Sequence, residues 1–273
     1  MNDFTQSPLY TTISGQRLHV PSKNLQRTVT VSVIHPGRHY NSAPSFPLLI
    51  FQDGQDFEAL RLAETIEDLL LEKAISPAII VGIHANEDRI YEYGTARRPD
   101  YMGRGSRAAR YTAFVLEELL PYLQTNFRTS KTRRTIAGFS LGGLMALDIA
   151  WNHPEQFAKA GVFSGSLWWR SKAFSPDYDD SDRIMHETIR ETARKPDLEL
   201  WFQTGTADET SDRDGDGVID SVSDTLDCIA ELERKGFQWN RDVRYLEVEN
   251  GEHNPATWRK VMPDFLKWAL SGK

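Results

Sequence analysis

The sequence predicts an α/β fold: a mostly parallel central sheet, an antiparallel pair of strands at its N-terminal side, and helices on both faces. Short, almost wholly apolar runs recur at Pro47 to Phe51, Pro77 to Ile83, Arg134 to Phe139, Lys159 to Phe163, Leu198 to Gln203 and Val243 to Val248. Runs of that kind suit strands covered on both faces. Helix-like segments alternate with them, at about 58–73, 107–125, 141–152, 182–193, 224–235 and 256–270, which argues for parallel strands joined by crossover helices. The 273 residues include 13 Phe, 7 Trp and 9 Tyr, enough apolar surface to exclude disorder as the main state. A single domain over 1–273 is expected.

Residues 1–45 supply the opening strands. Arg27-Thr-Val-Thr-Val-Ser-Val-Ile34 alternates Val with Thr and Ser, the period of a strand with one solvated face, and Arg17 to Val20 should lie near its partner. Further along, Tyr111, Phe114, Val115, Leu119, Tyr122 and Leu123 form an apolar stripe at helical spacing, which Pro121 should kink or divide. Two segments, about 86–106 and 168–182, are too long and irregular to be plain connectors. They are expected to form cap loops.

Charge and cysteine content bound the partners. Formal charge is −7, from 32 basic and 39 acidic residues, which disfavours binding to a phosphate backbone, so nucleic acid is not an expected partner. No apolar run is long enough to span a bilayer, and Met1 to Gln6 lacks the regions of a signal peptide, so no membrane partner is expected. Cys228 is the one cysteine; no intrachain disulfide can form, and a cytoplasmic location is expected, or a periplasmic or secreted one if a signal peptide has been trimmed. The oligomeric state is left open.

The sharpest motif is Gly138-Phe139-Ser140-Leu141-Gly142-Gly143. It fits G-x-S-x-G, in which a strand turns abruptly into a helix and holds the serine Oγ above the sheet. An apolar strand precedes it and Leu144 to Ala150 continues as a good helix. Such a serine needs a base, and in folds built on this elbow the acid and then the histidine follow it along the chain. Of the downstream histidines, His153 ends the elbow's own helix and His186 lies in a charged surface segment. His253, in the loop after the last strand, is the expected base. The acid should follow the strand Leu198 to Gln203, where Asp208 is the choice and Glu209 the alternative. A carboxylate there would fix the histidine tautomer while the imidazole shuttles the serine proton. The oxyanion donors expected are the backbone N–H groups of Leu141 and of Gln55, the latter in the turn Gln52-Asp53-Gly54-Gln55-Asp56.

At these residues the chain resembles the putative esterase family of α/β-hydrolases, the group that includes enterochelin and bacillibactin esterases and S-formylglutathione hydrolase. The carriers are Phe51-Gln-Asp-Gly-Gln-Asp-Phe57, Arg89-Ile-Tyr-Glu-Tyr93, Glu118-Leu-Leu-Pro-Tyr122, Ala137 to Gly143, Gly161-Val-Phe-Ser-Gly-Ser-Leu-Trp-Trp169 and the closing segment from His253 to Trp268. The resemblance implies an α/β-hydrolase fold and a serine hydrolase of carboxylic esters that needs no cofactor, with Ser140, His253 and Asp208 at matching positions. Enterochelin esterase-like enzymes look most similar, partly for the double tryptophan. The roughly 45 residues before the family core are too few for the N-terminal domain of enterochelin esterase proper, so a siderophore trilactone is not favoured over other esters. Transfer to an alcohol other than water stays open. The rival reading is a catalytically silent esterase-like domain that binds a small ligand.

Other groups carry weaker expectations. Asp212-Arg-Asp214-Gly-Asp216-Gly217-Val218-Ile219-Asp220 matches the opening of an EF-hand loop. Ser223 stands where the bidentate Glu belongs, so the stretch is either a structural calcium loop, using Asp212, Asp214, Asp216, the Val218 carbonyl and Asp220, or a solvated acidic turn. His35 and His39 are spaced i, i+4 around Pro36 and Gly37, and no metal is expected there. Arg89, Arg97, Arg98, Arg104, Arg107 and Arg110 form either a solvated face or a cap that draws anionic or phenolic substrates onto Tyr91, Tyr93 or Tyr101. Arg89, Trp168 and Trp169 are the expected pocket residues, because the tryptophans follow a strand's C-terminal end, where ligands bind in open α/β sheets; the alternative for the tryptophans is a core role. The substrate expected is a bulky or aromatic ester.

Overall fold

The computed structural model describes residues 12–37 and 43–271. His39, one of the spaced histidine pair, lies outside them. Strands β1 (Ser14–Ser22), β2 (Arg27–His35), β3 (Phe46–Gln52), β4 (Ile79–Ile83), β5 (Thr129–Phe139), β6 (Lys159–Phe163), β7 (Glu199–Ala207) and β8 (Val243–Glu252) form one sheet. Its order is β1-β2-β4-β3-β5-β6-β7-β8. β2 runs antiparallel to both neighbours, with Arg17 opposite Ser32, and every later pairing is parallel. This is the predicted α/β-hydrolase architecture. β2 is less amphipathic than its sequence suggests: Ser32 is buried because its hydroxyl meets His84 Nε2 at 2.7 Å.

The apolar runs form strands because helices cover them on both sides. On one face α5 (Leu141–Asn152), α6 (Ile184–Glu191) and α7 (Asp220–Arg234) pack on a cluster that includes Val81, Ile136, Val162 and Phe202. On the other, α1 (Leu62–Leu71) and α8 (Pro255–Leu270) enclose Leu49, Phe51, Phe139, Phe163 and Phe265. Phe265 stands at the centre of that layer, with ring contacts to Phe51, Phe163, Trp201 and Trp268. Truncating it to Ala would cost about 3–5 kcal/mol.

The 108–126 stretch is divided, though without an interruption of the helical backbone at Pro121. α3 (Ala108–Ala113), a π-helical stretch (Phe114–Leu119) and α4 (Leu120–Asn126) follow without a break, and Pro121 falls in the first turn of α4. The residue four before it, Glu117, is in the wider π turn, where the ring need not meet the carbonyl it would strike in an α-helix. α7 begins at Asp220, four residues earlier than predicted, so the acidic stretch runs straight into a helix. The cap segment at 86–106 holds one short helix, α2 (Arg89–Glu92), and is joined to the second cap loop by Tyr101 N–H donating to the Arg170 carbonyl at 3.1 Å. Among the described residues no helix is long and apolar enough to cross a membrane.

Candidate active site

Ser140 lies between the end of β5 and the start of α5, at φ 55° and ψ −122°. A non-glycine residue there is strained by about 1–3 kcal/mol, and the surroundings hold it. Its N–H donates to the Phe163 carbonyl at 2.8 Å, and its own carbonyl accepts from Ser166 N–H at 3.0 Å. The turn closes because Gly138 has no side chain: a Cβ there would lie 2.3 Å from the Gly142 carbonyl oxygen. Ser140 Oγ lies 3.4 Å from Ser166 Oγ.

Asp208 follows β7 and His253 follows β8, so the side chains rise from the carboxyl ends of strands in one sheet. Asp208 Oδ1 is 3.9 Å from His253 Nδ1, with the carboxylate wholly buried and the imidazole 40% exposed. The carboxylate accepts from Ser164 Oγ at 3.1 Å and Gly205 N–H at 3.0 Å. Ser164 in turn accepts from Trp258 Nε1 at 3.0 Å, and the Trp258 ring meets the His253 imidazole edge-on at 5.4 Å. Desolvation lowers the His253 pKa; the Asp208 charge opposes this and the Arg89 charge reinforces it. Glu209 turns elsewhere: it hydrogen-bonds Ser211 and Ser221, and burial followed by the nearby Asp220 raises its pKa. Of the other two histidines, His153 faces Glu155 and His186 is buried against the Asp224 carbonyl.

Gln55 sits in the short turn Gly54–Phe57 after β3, and Leu141 is the first residue of α5. Among the described residues neither N–H has a hydrogen-bond acceptor. This is the condition an oxyanion donor must meet before substrate arrives.

The expected pocket residues divide. Trp169 is fully buried, its ring against Gly94 and Gly105, and is a core anchor with no open surface to offer a ligand. Trp168 is partly buried beneath the Arg104 guanidinium, 4.9 Å from its ring centre. Arg89 is clamped by Asp53 at 2.7 and 2.8 Å. Most of the arginine run is paired too: Arg97 meets Glu191, Arg98 meets Glu187, Arg104 meets Asp100 and Arg107 meets Asp88. Asp100 and Asp88 come from the same stretch, but Glu187 and Glu191 arrive from α6, which spacing along the chain could not reveal.

Asp212, Asp214 and Asp216 do converge, with ligand oxygens within 4.8 Å of one another. Asp220 turns away to Arg213, whose backbone N–H it accepts at 2.9 Å. Three of the four predicted side-chain ligands thus come together and the fourth is engaged elsewhere. Ser164, Trp258 and Asp53 contribute to the site without having been singled out in the sequence. Only the Ser164-Gly165-Ser166 run and the Asp53-Gly54 turn hinted at them.

A family model described as "Putative esterase" matches residues 22–269. Among relatives, the protein named uncharacterized protein YjcH of Bacillus subtilis (strain 168) is 26% identical over 253 residues, which is 91% of this chain and 94% of its own length. The iron(III) enterobactin esterase of Dickeya dadantii is 28% identical over 170 residues, or 60% of this chain and 36% of its own. In structure, the enterobactin esterase FES of Shigella flexneri matches with a TM-score of 0.74 at 20% identity, over 97% of this chain and 60% of that one. The chain therefore spans less than two thirds of either enterobactin esterase, and the structural likeness shows the fold.

Proposed function

The chain belongs to the "Putative esterase" family and is a carboxylic ester hydrolase; from that premise we propose that it acts through Ser140, His253 and Asp208 by way of an acyl-enzyme. Ser140 Oγ attacks the ester carbonyl as His253 accepts its proton, and the Leu141 and Gln55 N–H groups hold the oxyanion. His253 then protonates the departing alcohol. Water, deprotonated by the same imidazole, releases the acid and restores Ser140. No cofactor enters this chemistry. The observation that carries the reading is the strained backbone of Ser140 at the strand-to-helix junction, a conformation that persists only where the surroundings enforce it.

The substrate we propose is a small-molecule ester with a bulky or aromatic group. Support comes from the two cap loops, which expose Tyr91, Tyr101, Met102 and Phe174. A panel of acetyl, feruloyl, catecholate trilactone and long-chain lipid esters tests it, and a clear preference for the lipid esters would overturn it. For the chemistry itself, wild-type protein should hydrolyse p-nitrophenyl acetate and take a fluorophosphonate label, and Ser140→Ala should do neither. An inactive, unlabelled wild type would return the silent ligand-binding reading.

A further inference from the structure

Beneath the Gln55 turn lies a buried charge that ester hydrolysis does not of itself require. Asp53, 2% exposed, stands between β3 and that turn in the left-handed region at φ 58°. Its carboxylate bonds the side chain of Gln55 and lies beside Gly142, the neighbour of Leu141. On one side Gln55 Nε2 donates to Oδ1 at 3.2 Å while Gln55 Oε1 accepts from Ala85 N–H at 3.0 Å, so this side chain is tied at both ends. On the other side Oδ2 lies against Gly142, next to Leu141: a Cβ at 142 would come within 2.6 Å of it. Arg89 locks both carboxylate oxygens, and its Nη2 reaches the carbonyl of Phe139, the residue before Ser140, at 3.5 Å. From below, Asp53 N–H donates to Tyr93 Oη at 3.4 Å, and Tyr111 donates to Gln52.

We propose that Asp53 is a positioning residue for the oxyanion hole: its carboxylate, locked by Arg89, fixes the spacing between the Gln55 and Leu141 N–H groups. The inference rests on the esterase reading above. The two donors belong to segments that leave different strands, and a donor stabilises a developing oxyanion only if it is already held where the charge will appear. Displacements of about 1 Å at such a site can cost 10²-fold in rate. A neutral residue at position 53 would leave the guanidinium without its partner and the Gln55 turn without its anchor. Gly142 belongs to the same device, since a side chain there would take the room the carboxylate occupies.

The test compares folded variants of the full chain on p-nitrophenyl acetate. Asp53→Asn, which keeps the shape and removes the charge, should lower kcat by about 10²-fold and leave KM within about twofold, because ground-state binding does not use the oxyanion donors. Fluorophosphonate labelling, which forms a similar tetrahedral centre, should slow by a comparable factor. Gln55→Ala cuts the same tie from an exposed side chain and decides the matter if Asp53→Asn does not fold; its kcat should fall about tenfold at constant KM. An active wild type whose folded variants keep full kcat overturns the inference and leaves the esterase reading standing. An inactive wild type overturns both.

Discussion

Asp208 Oδ1 and His253 Nδ1 face each other at 3.9 Å, beyond hydrogen-bond reach, while two donors already hold the carboxylate in place. On the proposed mechanism the carboxylate is the fixed partner, and the more exposed imidazole would move about 1 Å when substrate binds, as catalytic hydrogen bonds often tighten only in the complex. Asp208→Asn should lower kcat by about 10²-fold or more, since loss of the triad charge leaves the imidazole in the wrong tautomer. Glu209→Gln should change it little, its carboxyl facing the start of α7. Turnover of p-nitrophenyl butyrate by both variants checks this. Equal losses would return the role to Glu209, and no loss in either would leave a Ser-His dyad.

The pH profile follows from the same corner. On the proposed mechanism His253 is neutral when it accepts the serine proton, and its pKa is lowered from 6.5 by desolvation, with Asp208 opposing and Arg89 reinforcing the shift. The acid limb of kcat/KM should then lie below pH 6.5 and the rate should be flat through neutrality. Arg89→Gln removes a positive charge and leaves the negative Asp53 unpaired, and both changes favour the imidazolium. The limb should move to higher pH. A limb above pH 7 in the wild type, or a downward move in the variant, would refute the assignment.

Much of this geometry was legible in the sequence because local rules govern it. The G-x-S-x-G turn at Ser140 needs small residues at fixed offsets, and the apolar run before it can only be a covered strand, so elbow and sheet could be read together. The place of His253, after the last strand and facing Asp208, could likewise be read from the order of strands. What escaped is what the tertiary fold assembles from distant segments. Ser164 holds Asp208 across 44 positions and Trp258 reaches Ser164 across 94, while Arg98 finds its carboxylate on α6 at Glu187. Trp169 looked like a pocket wall because it follows a strand end, yet Gly94 and Gly105 let the cap close over it. Pro121 stands in the first turn of the α-helix that follows a π-helical stretch, and nothing in residue spacing announces a π turn.

Asp148 offers a test of stability independent of catalysis. It is wholly buried on the elbow helix and burial pushes its carboxyl up to about 7, against the hydrogen bonds it accepts from Ala96 N–H and Asn152. A pKa raised above the unfolded value means the folded protein holds a proton that the unfolded chain has released. The resulting stabilisation is complete below about pH 4 and is lost as the pH rises through about 7. Asp148→Asn has no such proton to lose. Between pH 5 and pH 8 the wild-type Tm should therefore fall relative to that of the variant. Parallel melting curves for the two proteins would show that the carboxyl does not titrate in this range.

The geometry of the acidic loop makes its response to calcium specific. Asp212 accepts from Gly215 and Gly217 N–H at 2.8 and 2.9 Å, and Asp216 accepts from Val218 N–H at 2.8 Å, so the loop is already folded around its own carboxylates. These three like charges within 4.8 Å of one another repel, and a divalent cation would relieve that repulsion. With Asp220 engaged by Arg213 and no Glu at the twelfth position, the expected affinity is weak, about 10⁻⁵ to 10⁻³ M. Calcium at about 100 times Kd would stabilise the fold by about 2.7 kcal/mol. Because Asp208 lies four residues before Asp212, ordering this loop also steadies the segment that carries the proposed triad acid. Melts in millimolar calcium should therefore exceed melts in EDTA, by several degrees at the tight end of that range and by about one degree at the weak end, and Asp214→Ala should abolish the difference. Identical wild-type melts in the two conditions would leave the loop as a self-capped acidic turn, with Arg213 and the backbone N–H groups supplying the compensation that an ion would otherwise provide.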